Sequence, residues 1–222
     1  MNSRFTNGKI IVLDIELSGP RNFLDHVIKE AGQEMEEIDA KNEEGNFETL
    51  DDYQNALYFP FSRYDMAIRA VFYETTALVE HELQKLSHKA WVTQNKSKTP
   101  KYMAWYEFDK PDNYLKQLSF QRKTYWDFLQ FRRYYLVKLI EDHYKIKISK
   151  LPGYQHLEIV RKIVNAFKHR KGLKDFSKSR NIKMGECYRP ALEAAYDAIE
   201  QARVFIIALW EATGQLPKRK KR

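Results

Sequence analysis

The stretch that decides the fold runs Arg161-Lys-Ile-Val-Asn165-Ala-Phe-Lys-His169-Arg-Lys-Gly172. Apolar residues in it and in the turn before it recur every three or four positions, which is the spacing of the buried face of a helix. Those residues are Leu157, Val160, Ile163, Val164 and Phe167. Arg161, Asn165 and His169 fall at i, i+4 and i+8 and therefore share one stripe of that helix. The pattern predicts a helix over residues 155–169 that ends in a polar, basic corner, with Gly172 as its stop signal.

Three further segments have helical periodicity. They cover residues 61–86, residues 114–144 and a last segment that opens at Pro190 and ends before Gly214. The last segment has the alternating spacing of three and four residues that is typical of a bundle seam. Its seam residues are Leu192, Ala195, Ile199, Ala202, Ile206 and Leu209. Four amphipathic helices without a strand–helix alternation predict an all-α fold, an antiparallel four-helix bundle.

The N-terminal part has a different character. Residues 9–17 are rich in β-branched residues and precede Ser-Gly-Pro at 18–20, so we expect a short strand or extended arm there. Weak helical character follows, and then an acidic linker over residues 41–52. We therefore expect an N-terminal element over residues 1–55, the helical bundle over 56–214 and a basic tail over 215–222.

Charge is distributed unevenly along the chain. Residues 25–52 carry eleven acids against two Lys, a balance of −9, whereas residues 145–183 carry twelve Lys or Arg against two acids, a balance of +10. The last five residues add +5. Such a basic patch attracts phosphates and indicates a nucleic-acid partner, although it is also typical of a solvated helix end and loop.

The segment from Val164 to Gly172 resembles the end of the catalytic helix in the HEPN family of nucleotide-binding helical domains. The resemblance rests on Asn165 and His169 in a basic helix end, and by helix order it covers residues 60–213. Active family members carry Arg-x4–6-His and cleave RNA without a metal or cofactor, usually as homodimers. This sequence has Val164 just before Asn165, where the family has Arg, and the nearest upstream candidate is Arg161.

The resemblance implies roles for three residues. His169 would be the general acid or base, Asn165 would orient it or bind the phosphate, and Arg161 or a neighbouring cation would stabilise the developing charge. The nucleophile would be the 2′-hydroxyl of the RNA itself. The function implied is RNA binding with endoribonuclease activity of the toxin or defence type, with a homodimer as the assembly and an antitoxin or regulatory protein as a partner.

Basic side chains around this helix are the predicted contacts to the nucleic-acid backbone. They are Lys168, Arg170, Lys171 and Lys174, with Arg132 and Arg133 from an aromatic and basic segment earlier in the chain. Aromatic residues at helical spacing are also typical of a core, so that earlier segment has two interpretations.

Two alternative functions are open at this level. One is a non-catalytic HEPN-like domain that binds nucleic acid, a nucleotide or a protein. The other is a metal-dependent exonuclease of the DEDD type, because Asp14 and Glu16 would project from one face of a strand and could bind Mg²⁺. That fold needs several further strands, which the chain does not indicate.

The composition also bears on the compartment. Cys187 is the one cysteine, so an intrachain disulfide is excluded and a reducing compartment is favoured. No apolar run approaches the ~18 residues of a membrane span, and the N-terminus lacks the features of a signal peptide. We therefore expect a cytoplasmic protein without a membrane partner.

Overall fold

Helices form the regular structure of the residues that the structure describes. The computed structural model describes residues 3–94, 133–170 and 191–216. The α-helices within these ranges are α1 (Ser3–Glu43), α2 (Leu50–Gln94), α3 (Arg133–Tyr144), α4 (Tyr154–Arg170) and α5 (Leu192–Ala212), and a 3-10 turn covers Ile148–Lys150. The described ranges contain no strand. The prediction of an all-α fold is confirmed for these residues, and the helix predicted over 155–169 is α4.

The strand or extended arm expected over residues 9–17 is not found, because these residues lie inside α1. The helix also continues through Pro20, although Ser-Gly-Pro at 18–20 was expected to end the element. The reason is a single buried stripe on both sides of the proline, formed by Leu13, Leu17, Leu24, Ala31 and Ile38. Burying one leucine contributes about 1.5–3 kcal/mol. A proline inside a helix costs about 3 kcal/mol, so the leucines of this stripe offset it.

Both ends of the loop between α1 and α2 are capped. Gly45 has a φ of +75°, and α1 ends in a Schellman motif, with Asn46 N–H donating to the Lys41 carbonyl at 2.9 Å. Four residues later, Thr49 and Asp52 form a reciprocal capping box, since each accepts a hydrogen bond from the backbone N–H of the other. The acidic linker expected over residues 41–52 is thus a short, hydrogen-bonded turn between two long helices.

Two units make up the molecule, and the first combines residues 1–78 with residues 151–208. In this unit α1 runs antiparallel to both α2 and α5. The contacts that set these directions are Asp39–Tyr53 and Glu34–Arg63 between α1 and α2, and Asp14–Arg203 and Asp25–Tyr196 between α1 and α5. The core of the unit is formed by the α1 stripe with Ile68, Val71, Phe72, Val160, Val164, Ala198, Ala202 and Phe205.

The second unit combines residues 79–150 with residues 209–222. Its described core contains Leu83, Leu86, Ile140, Ile148 and Leu209. A carboxylate lies within this core: Glu82 is 5% exposed and accepts a hydrogen bond from the indole N–H of Trp210 at 2.8 Å. Lys85, which is half-exposed, donates to the other oxygen of Glu82 at 2.7 Å, so the buried charge has a cationic partner.

The seam predicted for the last helix agrees with the burial of α5. Ala195, Ile199, Ala202, Ile206 and Leu209 are all buried, and Leu192 is half-buried.

The domain boundaries predicted at residues 55 and 214 stay predictions. Of the described helices, none combines the length and the apolar character that crossing a membrane requires.

Candidate nucleic-acid interface

Helix α4 begins at a turn that only glycine can make. Gly153 has a φ of +79°, and a Cβ on it would lie 2.6 Å from the carbonyl oxygen of Gln201 in α5. Its own carbonyl accepts the hydrogen bond of Leu157 N–H at 3.1 Å and so starts the first turn of the helix. The turn brings the start of α4 directly against α5, where the ring centroids of Tyr154 and Phe205 lie 6.1 Å apart.

The buried face of α4 agrees in large part with the predicted one. Leu157, Val160 and Val164 are buried, whereas Ile163 and Phe167 are half-buried. Val164 is 1% exposed, so the position where the HEPN resemblance predicts an Arg lies in the core of this chain. An arginine placed there would lose its hydration, which explains why an apolar residue suits this position.

The three residues to which the resemblance gives catalytic roles lie along α4 in the order expected. Arg161 donates from Nε at 3.1 Å and from Nη2 at 2.8 Å to one carboxylate oxygen of Glu158. It therefore leans toward the helix N-terminus, away from the end that holds His169. Asn165 is half-buried. His169 belongs to the last turn of α4, and its side chain lies outside the described structure. The catalytic roles stay predictions.

Of the six predicted backbone contacts, the structure describes the side chain of Lys168. It is exposed, and its Nζ lies 5.3 Å from the centroid of the Tyr73 ring. Arg170 ends α4 and Arg133 begins α3, but the side chains of both lie outside the described structure. Lys171, Lys174 and Arg132 lie wholly outside the described residues.

A groove beside the C-terminal half of α4, which we call the α4 groove, was not predicted from the sequence. It has a volume of about 530 Å³ and is lined by Met66, Arg69, Ala70, Tyr73 and Phe167. The guanidinium carbon of Arg69 lies 5.2 Å from the centroid of the Phe167 ring. Together with Lys168 above Tyr73, this gives two aromatic rings that each have a cation over one face.

Arg69 is held in place by its own helix. Its Nη2 pairs with Asp65 at 2.5 Å, and its Nε donates to the Asp65 carbonyl at 3.3 Å. A half-exposed pair of this kind contributes little stability, so a stronger anion can compete for the guanidinium. A signal for the groove was present in the sequence: Met66, Arg69 and Tyr73 have the three-to-four spacing of one helix face, on the side opposite Ile68 and Val71.

The geometry assumed for the exonuclease alternative is absent. Asp14 and Glu16 lie in a helix, where residues two apart diverge by about 200°, so their carboxylates cannot converge on one metal pair. Asp14 instead accepts two hydrogen bonds from Arg203 of α5, at 2.6 and 3.3 Å. This contact raises the pKa of the Arg203 guanidinium above its usual value. Within the described ranges, no three His, Cys, Asp or Glu residues cluster as a metal site would require.

Comparison with known proteins identifies no relative of this chain. No protein-family model, curated protein or solved structure matches it.

Proposed function

We propose that this protein binds single-stranded RNA in the α4 groove. The observation that carries the proposal is the pairing of each aromatic ring in the groove with a cation, Tyr73 with Lys168 and Phe167 with Arg69. Aromatic rings stack on bases, and adjacent cations neutralise phosphates, which is the combination that single-strand binding proteins use. The exposed thioether of Met66 adds an adaptable apolar surface at the same place.

The charge of the neighbouring sequence supports an anionic polymer as the ligand. The groove lies beside the C-terminal half of α4, and residues 145–183, which include α4, have a balance of +10. A polymer that enters the groove would release counterions from its phosphates where Arg69 and Lys168 replace them. The acidic residues 25–52 would repel the same polymer. The charge pattern therefore favours binding near α4 over binding near residues 25–52.

We propose binding rather than cleavage as the activity. Active HEPN proteins carry an Arg upstream of the catalytic His, but here the candidate Arg161 is paired with Glu158, and Val164, at the other candidate position, is buried. These contacts favour the non-catalytic HEPN-like alternative. The proposal also includes the fold, the assembly, a partner and the compartment. These are an antiparallel four-helix bundle of HEPN type, a homodimer, a regulatory protein partner and a cytoplasmic location. They are supported by the helix order, the Asn165 and His169 pattern and the single cysteine.

Fluorescence anisotropy with a short labelled oligouridylate tests the proposal. Stacking on one aromatic residue contributes about 1–3 kcal/mol per base, so Tyr73→Ala is expected to weaken binding by roughly 5- to 150-fold. Tyr58→Ala is the matched control, because Tyr58 is an exposed tyrosine of the same helix that does not line the groove. Equal affinities of the Tyr73 and Tyr58 variants would contradict the proposed site.

Salt dependence gives a second, independent readout. Each phosphate contact on a single strand contributes about 0.7 to the slope of log affinity against log salt. Lys168→Gln should therefore lower that slope by about 0.7, whereas Lys162→Gln, an exposed lysine elsewhere on α4, should leave it unchanged. RNA cleavage in EDTA that disappears in His169→Ala would instead establish the catalytic function.

A further inference from the structure

A narrow slot separates α1 from α5 in the first unit. It has a volume of about 220 Å³, and its floor is formed by Leu17 and Ile199, each 4% exposed. The walls carry Ser18 and four charged residues, which are Asp14, Arg21, Glu200 and Arg203. The volume is below the roughly 300–1,000 Å³ of pockets for drug-sized ligands, so the slot suits a smaller molecule than a nucleotide.

Two of the four charges in the slot neutralise each other. Arg203 directs Nε and Nη2 at the two carboxylate oxygens of Asp14, at 2.6 and 3.3 Å. Arg21 and Glu200 form no ion pair within 4 Å with any residue that the structure describes, although the negative charge of Glu200 also contributes to the raised pKa of Arg203. The slot therefore presents one positive charge from α1 and one negative charge from α5.

Arg21 and Asp25 both contact Tyr196. The guanidinium carbon of Arg21 lies 5.9 Å from the centroid of the Tyr196 ring. Asp25, one helical turn after Arg21, accepts the hydrogen bond of the Tyr196 hydroxyl. Arg21 thus rests against an aromatic face, and its N–H groups are free to bind an anion.

The hydroxyl of Ser18 can act as a hydrogen-bond acceptor in the slot. Its hydroxyl donates to the Ile15 carbonyl at 2.8 Å, so its lone pairs are what it offers to a ligand. An acceptor on the wall together with the carboxylate of Glu200 matches an ammonium group, which has three donors. Leu17 and Ile199 offer an apolar surface beside these polar groups.

We propose that the slot binds a small zwitterion, a free aliphatic amino acid. Its carboxylate pairs with Arg21, its ammonium group binds Glu200 and Ser18, and its side chain lies over Leu17 and Ile199. This site involves α1 and α5, shares no residue with the α4 groove and does not depend on RNA binding.

Titration of the ¹⁵N-labelled protein with L-leucine, followed by NMR at the amides of Ser18 and Glu200, tests the proposal. The matched ligands are 4-methylpentanoate, which has the carboxylate without the amine, and 3-methylbutylamine, which has the amine without the carboxylate. A hydrogen bond to a charged group is worth roughly 10- to 100-fold in affinity, so each analogue should bind more weakly than leucine by about that factor.

Three variants assign the two ends of the ligand. Arg21→Gln should weaken leucine and 4-methylpentanoate but not the amine, and Glu200→Gln should weaken leucine and the amine but not the carboxylate. Lys29→Gln removes an exposed cation of the same helix that lies outside the slot, and it should leave all three affinities unchanged. The proposal is overturned if leucine gives no saturable shift at these amides, if it binds no more tightly than its analogues, or if Lys29→Gln weakens it as much as Arg21→Gln.

Discussion

Replacement of Gly153 by alanine tests the turn that sets α4 against α5. The residue has a φ of +79°, and an L-residue in that conformation costs about 1–2 kcal/mol. The added Cβ would also lie 2.6 Å from the backbone carbonyl oxygen of Gln201, which cannot rotate away as a side chain could. Overpacking of this kind typically costs about 1–3 kcal/mol. We expect Gly153→Ala to lower the free energy of unfolding by about 2–5 kcal/mol, a sum of the same two magnitudes.

Two other glycines provide matched controls. Gly45 and Gly214 have φ values of +75° and +73°, but a Cβ on either meets no described heavy atom within 4 Å. In their alanine variants the free energy of unfolding should fall only by the cost of the positive φ, about 1–2 kcal/mol. Asparagine tolerates a positive φ, so Gly45→Asn should be close to wild type, whereas Gly153→Asn should stay strongly destabilised.

Urea unfolding followed by far-UV circular dichroism measures these differences, with equal m-values as the check that the denatured state is unchanged. If Gly153→Ala is destabilised no more than Gly45→Ala, the close approach of the turn to α5 does not constrain the fold, and the reasoning is refuted.

Three further predictions concern single contacts. Glu82→Ala should destabilise the protein by about 1.5–3 kcal/mol in urea unfolding, because the buried N–H of Trp210 loses a charged acceptor. Glu82→Gln keeps an acceptor and should lower the free energy of unfolding by less. Equal losses of stability in the two variants would contradict this role of Glu82. Burial lowers the pKa of His88 below its usual 6.5, so the unfolded chain binds its proton more readily and stability should fall as the pH drops below about 6.5. His88→Gln should be less acid-sensitive in the same assay, and an unchanged pH dependence would refute this cause. Thr49→Ala removes one half of the capping box with Asp52 and should cost about 0.5–2 kcal/mol, with Thr49→Ser retaining most of the stability.

The position of α4 and the identity of its buried residues were available from the sequence. Apolar residues at a three-to-four spacing specify a helix through short-range geometry, and Val164 already marked the missing arginine of the HEPN pattern. The same local information failed at residues 9–17, where β-branched residues suggested a strand. The deciding factor there is the long stripe from Leu13 to Ile38, which a short window does not detect.

The pairing of helices that forms the two candidate sites was beyond the reach of local patterns, although one face of the α4 groove had a local signal. The α4 groove joins Tyr73 of α2 with Phe167 of α4, and the slot joins Arg21 of α1 with Glu200 of α5. The two residues of each pair are far apart in the chain. The spacing of residues along one helix does not predict which face of another helix will pack against it. The sequence favoured the basic end of α4, with Arg132 and Arg133 as further candidate contacts, and most of those side chains lie outside the described structure.

By itself, then, the sequence determined that the chain is helical, where α4 and α5 run, and which of their faces are buried, since helix periodicity and hydrophobic burial act over a few turns. Only the tertiary structure decided that residues 9–17 belong to a long helix and that cations lie over the rings of Tyr73 and Phe167. Those outcomes depend on burial summed along a whole helix and on contacts between residues distant in the chain, which no local pattern specifies.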